Sequence, residues 1–210
     1  MTSDTEIRSA LLLLGPTGAG KTPLGALIER EGLWGHRWAH FDFGHQMRKI
    51  AAGGRPTARL TQADVDFLRQ VLHSGALLED ERFPLAGRIF QSFLDRLGAG
   101  QQTRIVLNGL PRHAGQAEAM DAMVPVGAVA ELACTPEVVA ARIQTDVGGD
   151  RALRSDDAPA AVRRKLEIYR ARTEPLLDYY RRRGVPILRV EVTAEMTQQQ
   201  MLQRLATTPV

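Results

Sequence analysis

A single cysteine in 210 residues, Cys134, has no partner for an internal disulfide. The chain is therefore not a disulfide scaffold, and its cysteine usage suits a reducing cytoplasm. Cys134 closes the apolar run "VAELAC", where a structural thiol is expected rather than a reactive one. No segment approaches the ~18 consecutive apolar residues of a membrane span, so no membrane partner is expected. Residues 1–9 carry Asp4, Glu6 and Arg8 without an apolar centre, unlike a secretory signal. Lysine is nearly absent too: it occurs only at 21, 49 and 165, so arginine supplies most of the positive charge. The net charge of +3 is too small to argue for nucleic acid as a partner. Five histidines show no metal-ligand spacing with carboxylates or cysteine. His36 and His40 bracket a loop entering a strand, so zinc is not expected.

What is present is dense at the amino-terminal end. "LLLLGPTGAGKTPLG", residues 11–25, places Gly15, Gly20, Lys21 and Thr22 in the pattern G-x-x-x-x-G-K-[ST] directly after an apolar run. Glycines at 15, 18 and 20 let successive backbone N–H groups turn onto an anion, with Thr17 and Ala19 completing the loop. The following helix aims its N-terminal partial positive charge at the same point. Lys21 adds a point charge for the terminal phosphates of ATP, and the Thr22 hydroxyl is a ligand for Mg²⁺. Pro23 fits a first helical turn, where its missing N–H loses no partner.

Apolar runs alternate with helical patterns along the chain, the signature of a parallel sheet covered on both faces. Strands are expected at 10–14, 37–41, 104–107, 128–133 and 186–192. Helices are expected at 23–31, 44–52, 61–72, 83–97, 115–123, 136–144, 159–182 and 197–205. The helix from 159 carries one stripe, Val162, Leu166, Tyr169, Thr173, Leu176 and Tyr180, with Asp157 or Ala158 as its cap. No linker divides residues 1–210, which read as one domain. Two segments interrupt the alternation: an insertion after the second strand, and the polar stretch "IQTDVGGDRALRSDDA" at 143–158. Loops that long in a compact domain are usually functional. Trp34 and Trp38 read as packing residues.

A second constellation, "IVLNGLPRHAGQAEAM" at 105–120, ends a strand and turns the chain through Gly109, Leu110, Pro111 and Arg112. Arg112 would emerge at the carboxyl end of a strand, where ligands bind in open α/β sheets. Here the sequence resembles the adenylate kinase family of nucleoside monophosphate kinases, whose G-[FY]-P-R turn is followed by a base-reading glutamine, here Gln116. "DFGHQMRKI" is similar to the family's T-G-D-L-L-R helix start through Gly44 and Arg48, and "SGALLED" to its G-x-L-V-P, with Leu78 at the acceptor base. "RSDD", residues 154–157, resembles the end of the family's lid.

The resemblance implies a P-loop NTPase fold: three α/β/α layers with a five-stranded parallel sheet. It further implies a small helical acceptor-binding insertion at 44–82 and a short, zinc-free lid at 143–158. The implied activity is transfer of a phosphoryl group from ATP to a nucleoside monophosphate, AMP first, in a cytoplasmic monomer. It places Phe43, Gly44, Arg48, Leu78, Gly109, Arg112, Gln116 and Arg154 on the acceptor side. Lys21, Arg112, Arg154 and Lys165 would serve the transfer, and Arg142 would stack near the donor base. Lysine at 165 stands where the family has arginine, keeping the charge but losing the planar fork.

Two further departures stand out. Phe43 replaces a threonine that faces the acceptor base, so looser base selectivity is expected. Asn108 replaces an aspartate that helps position Mg²⁺, which removes a negative charge while keeping an acceptor oxygen. They leave two alternatives to the kinase: a nucleotide-binding regulatory module with little turnover, and a P-loop kinase acting on another small molecule.

Overall fold

The computed structural model describes residues 9–53, 59–74, 82–97, 103–150 and 158–208. Five strands, β1 (Ala10–Leu14), β2 (Arg37–Asp42), β3 (Thr103–Asn108), β4 (Val126–Ala133) and β5 (Ile187–Glu191), form one sheet in the order β2-β3-β1-β4-β5. β1 runs parallel to both β3 and β4, and β4 parallel to β5. Every residue of β1 is buried. A central strand covered on both faces has no solvent side for a polar residue, which is why "ALLLL" shows no alternation. The α/β class and the parallel five-stranded sheet are as the sequence implies, with strand ends within two residues of expectation.

The described chain divides into two compact units, Met1–His40 with Gln102–Val210, and Phe41–Gln101. In the first, α1 (Lys21–Glu31) and α9 (Gln198–Ala206) pack Leu24, Ile28, Met201 and Leu205 into a core with Leu11 and Val106 of the sheet. α9 starts on a capping box between Thr197 and Gln200, and α6 (Pro136–Thr145) on the Thr135 hydroxyl with Pro136 in the first turn. Gly25 of α1 lies against His40: a Cβ built there would stand 2.3 Å from the imidazole Nε2. His40 is held from the other side, its backbone N–H donating to Glu29 Oε1 at 3.0 Å. Trp38 is buried, donates its indole N–H to Leu33 O at 2.9 Å and meets Trp34 edge to face, the packing role expected of both.

One helix departs from expectation. The segment 159–182 is not continuous but reads as α7 (Pro159–Ile168), a single wide π turn over Tyr169–Thr173, and α8 (Leu176–Arg182). In the wide turn the Glu174 N–H reaches back five residues to Tyr169 O at 2.8 Å. Pro175 explains the change: it has no N–H for the carbonyl four residues back, and its ring crowds that carbonyl. A π turn upstream relieves the crowding. Ala158 occupies the cap position of α7 without a side-chain bond, while Asp157 lies outside the described residues.

The second unit is built differently. Asp42 caps α2 (Phe43–Ala51), its carboxylate accepting from His45 N–H at 2.8 Å. α3 (Gln62–Ser74) starts on a reciprocal pair, Thr61 N–H to Asp64 Oδ2 at 2.9 Å and Asp64 N–H to Thr61 Oγ1 at 3.2 Å. Its centre is aromatic: Phe41 meets Phe90 and Phe93 of α4 (Phe83–Leu97) edge to face, with centroids 4.9 and 5.1 Å apart. Such pairs add about 0.5–1.5 kcal/mol beyond the area they bury.

Candidate active site

In the register of β1 with β3, Leu13 lies opposite Asn108. The loop after Leu14 and the turn after Asn108 therefore leave the sheet side by side at its carboxyl edge. There Asn108 Nδ2 donates to Thr22 Oγ1 at 3.1 Å, joining the two segments the sequence marked separately.

The first loop needs its glycines for specific reasons. Gly20 caps α1 in the left-handed region at φ 95°, where an L side chain is strained. Gly15 has no room: a Cβ would lie 2.7 Å from the Leu132 carbonyl oxygen. When N–H groups in such a loop turn toward an anion, the carbonyls between them turn away and need donors of their own. Lys21 Nζ supplies two of these, donating to Gly15 O at 2.6 Å and Pro16 O at 2.7 Å. Arg142 supplies another, Nε to Gly18 O at 3.1 Å. Thr17 is half-buried and Ala19 buried, its N–H donating to Pro16 O at 3.3 Å.

At the second turn, Arg112 folds over the backbone that carries it, Nε donating to Gly109 O at 2.9 Å. Its own N–H donates to Gln116 Oε1 at 3.0 Å. Gln116 is 1% exposed at the start of α5 (Ala114–Asp121), and its carbonyl oxygen fixes the turn from that buried position. Asn108 is 4% exposed and buried among apolar strand residues, yet its amide finds the Thr22 hydroxyl.

Arg142, expected near the donor base, lies against the phosphate loop. It is 3% exposed, and its Nη1 donates to Thr193 O at 2.8 Å and Met196 O at 2.7 Å. Sequence reasoning missed residues 193–196 altogether, since they act through main-chain oxygens that any side chain can carry. Cys134 lies just beyond β4, and burial pushes its thiol up to about 11 against the pull of Arg142 and Lys21. Burial also raises Tyr169, in the wide turn, with Glu174 and Glu131 adding to the shift. Lys165 sits half-buried on α7.

In the Phe41–Gln101 unit, Arg48 is exposed on α2 and folds back over the helix start: a Cβ on Gly44 would stand 3.3 Å from its Nη1. Phe43 corrects an expectation. Its ring is 2% exposed with its centroid 6.2 Å from that of Phe41, a core position in place of an open, base-facing one. Helix geometry accounts for this, because the first residue after the Asp42 cap turns inward where α2 is apolar. Leu78 and Arg154 lie outside the described residues, as do Asp156 and Asp157. Among the described helices none is long and apolar enough to cross a membrane.

Comparison with known proteins bears on the family of the chain. No family model matches the chain. Curated relatives do, along most of its length. An adenylate kinase of Deinococcus radiodurans is 33% identical over 183 residues, covering 83% of this chain and 84% of its own. One from Stenotrophomonas maltophilia is 31% identical over 194 residues, 89% of this chain and 92% of its own. One from Parasynechococcus marenigrum is 31% identical over 205 residues, 95% of this chain and 97% of its own.

Proposed function

Since the chain belongs to the adenylate kinase family and is an ATP-dependent nucleoside monophosphate kinase with AMP as acceptor, we propose how its own residues divide that work. Backbone N–H groups of the loop from Gly15 to Thr22 take the ATP phosphates, aided by the positive end of α1. Lys21 addresses the phosphates that change partners, and its bonds to Gly15 O and Pro16 O keep it on the loop. Arg112 and Arg48 take the acceptor phosphate, while Arg154 and Lys165 meet the transferring group.

The acceptor phosphate ionises with a pKa of about 6, so near neutral pH the nucleophile needs no dedicated base. An acceptor oxygen attacks the γ-phosphorus, the bond to the β-phosphate oxygen breaks, and both products leave as diphosphates. Charge accumulates on the equatorial oxygens of the group in flight, and fixed positive side chains stabilise it there. This is why the assigned residues are cations and amides, with no His or Glu in a central role.

Mg²⁺ fits the oxygen donors present. Thr22 Oγ1, which accepts from Asn108 Nδ2, and Asn108 Oδ1 are both the hard oxygen type that Mg²⁺ takes, directly or through a bound water. Bound there, Mg²⁺ would neutralise charge on the β- and γ-phosphates. Asparagine supplies no net charge to this site, so its metal affinity is lower than a carboxylate would give.

We further assign residues 44–82 to acceptor binding and 143–158 to a short lid, in a cytoplasmic monomer. The observation that carries the reading is the union of Thr22 and Asn108 at the ends of adjacent strands, in a chain whose relatives are adenylate kinases. The decisive experiment measures ADP formation from ATP with AMP, CMP, UMP, GMP and dAMP. Turnover is expected with AMP, and Gln116→Ala should weaken the preference for it. ATP binding without turnover on any monophosphate would refute the kinase.

A further inference from the structure

Within the Phe41–Gln101 unit, the described arginines outside α2 are all engaged. Arg59, Arg69, Arg82, Arg88 and Arg96 each hold a carboxylate, an amide or an aromatic ring. α2 is the exception. His45, Arg48 and Lys49 are exposed on it, and among the described residues none of their side chains holds a hydrogen bond or ion pair. Residues three and four apart are neighbours on a helix, so the three share one face. Arg48 does not extend away from that face. It folds back over the first turn, Nη1 and Nη2 standing 3.3 and 3.8 Å from where a Cβ on Gly44 would lie. The guanidinium thereby comes back toward His45, through space that glycine at 44 leaves open. His45 is fixed at its backbone, the N–H donating to Asp42 Oδ1 at 2.8 Å, and its ring is left at the surface.

We propose that His45 is a further binding group for the acceptor phosphate, acting beside Arg48 and holding that phosphate more strongly when its imidazole is protonated. This rests on the reading of Arg48 as a ligand of the acceptor phosphate. A guanidinium fork takes two of the three terminal oxygens of a phosphate monoester, which leaves one for a neighbouring donor. Neutral imidazole donates from one nitrogen and imidazolium from both, so either form can bond an oxygen, but only imidazolium adds charge. Imidazole is the side chain that changes charge between pH 5 and 8, the range in which a phosphate monoester takes its own second proton. Lys49 brings a fixed charge and cannot supply that dependence. The other charges brought to α2 are few. Asp42 Oδ1 lies 3.4 Å from the Gly44 Cβ point and opposes an incoming phosphate, though it is committed to the His45 N–H. Arg96 of α4 donates to Gln46 Oε1 at 3.0 Å, and Arg69 of α3 to Ala51 O at 3.0 Å, at the far end of the helix. By reciprocity, a proton on His45 that favours phosphate is itself favoured by phosphate, so acceptor binding takes up protons at this residue.

The test measures AMP and adenosine binding by calorimetry near pH 6 and near pH 8.5, in buffers of different ionisation heat. Wild type, His45→Gln, His45→Lys and Arg48→Ala are compared. His45→Gln keeps a hydrogen-bonding group without the charge. Its AMP affinity should fall by about 3–5-fold near pH 6, the scale of one exposed charge pair, and by less than about 1.5-fold near pH 8.5. It should also take up fewer protons with AMP than wild type, a difference in which the phosphate's own titration cancels. His45→Lys carries a fixed charge, and it should match wild type near pH 6, bind AMP more tightly near pH 8.5, and lack the same protons. Adenosine has no phosphate and should bind wild type and both His45 variants alike. Equal AMP affinity and equal proton uptake in wild type and His45→Gln, with Arg48→Ala weakened, would overturn the proposal and leave Arg48 on the phosphate. Parallel losses of AMP and adenosine in His45→Gln would overturn it as well, since they would mark a general loosening of α2. AMP affinity unchanged in Arg48→Ala would refute the acceptor reading of Arg48, and the proposal with it.

Discussion

The two units hold their polar residues in opposite ways. In the unit that carries the phosphate loop, the functional polar groups are buried and committed: Arg142, Asn108 and Gln116 are each under 5% exposed and each bonded to loop or turn. In the Phe41–Gln101 unit the buried centre is aromatic, and apart from the buried cap Asp42 its charged pairs lie toward the surface, as in Arg59 with Asp95 at 2.6 Å. Exposed pairs of that kind contribute ~0–1 kcal/mol. Buried bonded groups cannot be removed without leaving a partner unsatisfied, which costs about 1–3 kcal/mol. The first unit is therefore preorganised by polar contacts and intolerant of change at them. The second is stabilised by packing and, outside the Asp42 cap, free to vary its charges.

The contrast is most severely tested at Lys21. Lys21→Ala removes the charge aimed at the transferring phosphates, and transfer should fall by at least ~10²-fold. Circular dichroism should show the fold intact; near-wild-type turnover would place the chemistry elsewhere.

Phe43 tests the other unit. Phe43→Thr should cost about 3 kcal/mol of stability in urea unfolding, the usual price of emptying an aromatic core site. The relative rates on AMP, CMP, UMP and GMP should change little, because the ring is occupied by Phe41. A large shift in base preference at unchanged stability would show the ring facing the acceptor after all.

A smaller effect is expected at Asn108. Asn108→Asp should lower the Mg²⁺ needed for half-maximal rate by ~10-fold at saturating ATP and AMP. Identical Mg²⁺ titrations would remove position 108 from the metal site.

The smallest effect is expected at Cys134. Its thiol ionises near 11 in the fold against about 9 in the unfolded chain, so the folded state binds more protons between those values. Stability contributed by the neutral thiol is complete below pH 9 and is lost as pH rises toward 11. Thermal unfolding should show this decline, and Cys134→Ala should flatten it.

Much of the fold was legible because its signals are local. The alternation of apolar runs and helical stripes, the capping residues and the glycine-rich loop each reside in contiguous residues, and the strands formed where those signals placed them. Lys21 and Thr22 were legible for the same reason. Three things were not. The stripe through Tyr169 reads the same whether or not Pro175 widens the turn before it. Whether Phe43 faces a ligand or Phe41 depends on how α2 leaves its cap, which residue type does not encode. The acceptors for Arg142 are main-chain oxygens, written in no side chain. The first two misses are local geometry that residue type leaves open, and the third depends on backbone groups of a segment distant in sequence.

The close approach of Gly25 to His40 has an evolutionary consequence. Gly25 sits inside α1 without the positive φ that explains other glycines in the chain, and alanine there would gain about 1 kcal/mol of helix propensity. The imidazole, 2.3 Å from where that methyl would stand, forbids the gain unless the ring moves. Positions 25 and 40 thus share one volume. A descendant with alanine at 25 should carry a smaller residue at 40, and the two substitutions should be tolerated together far better than Gly25→Ala alone.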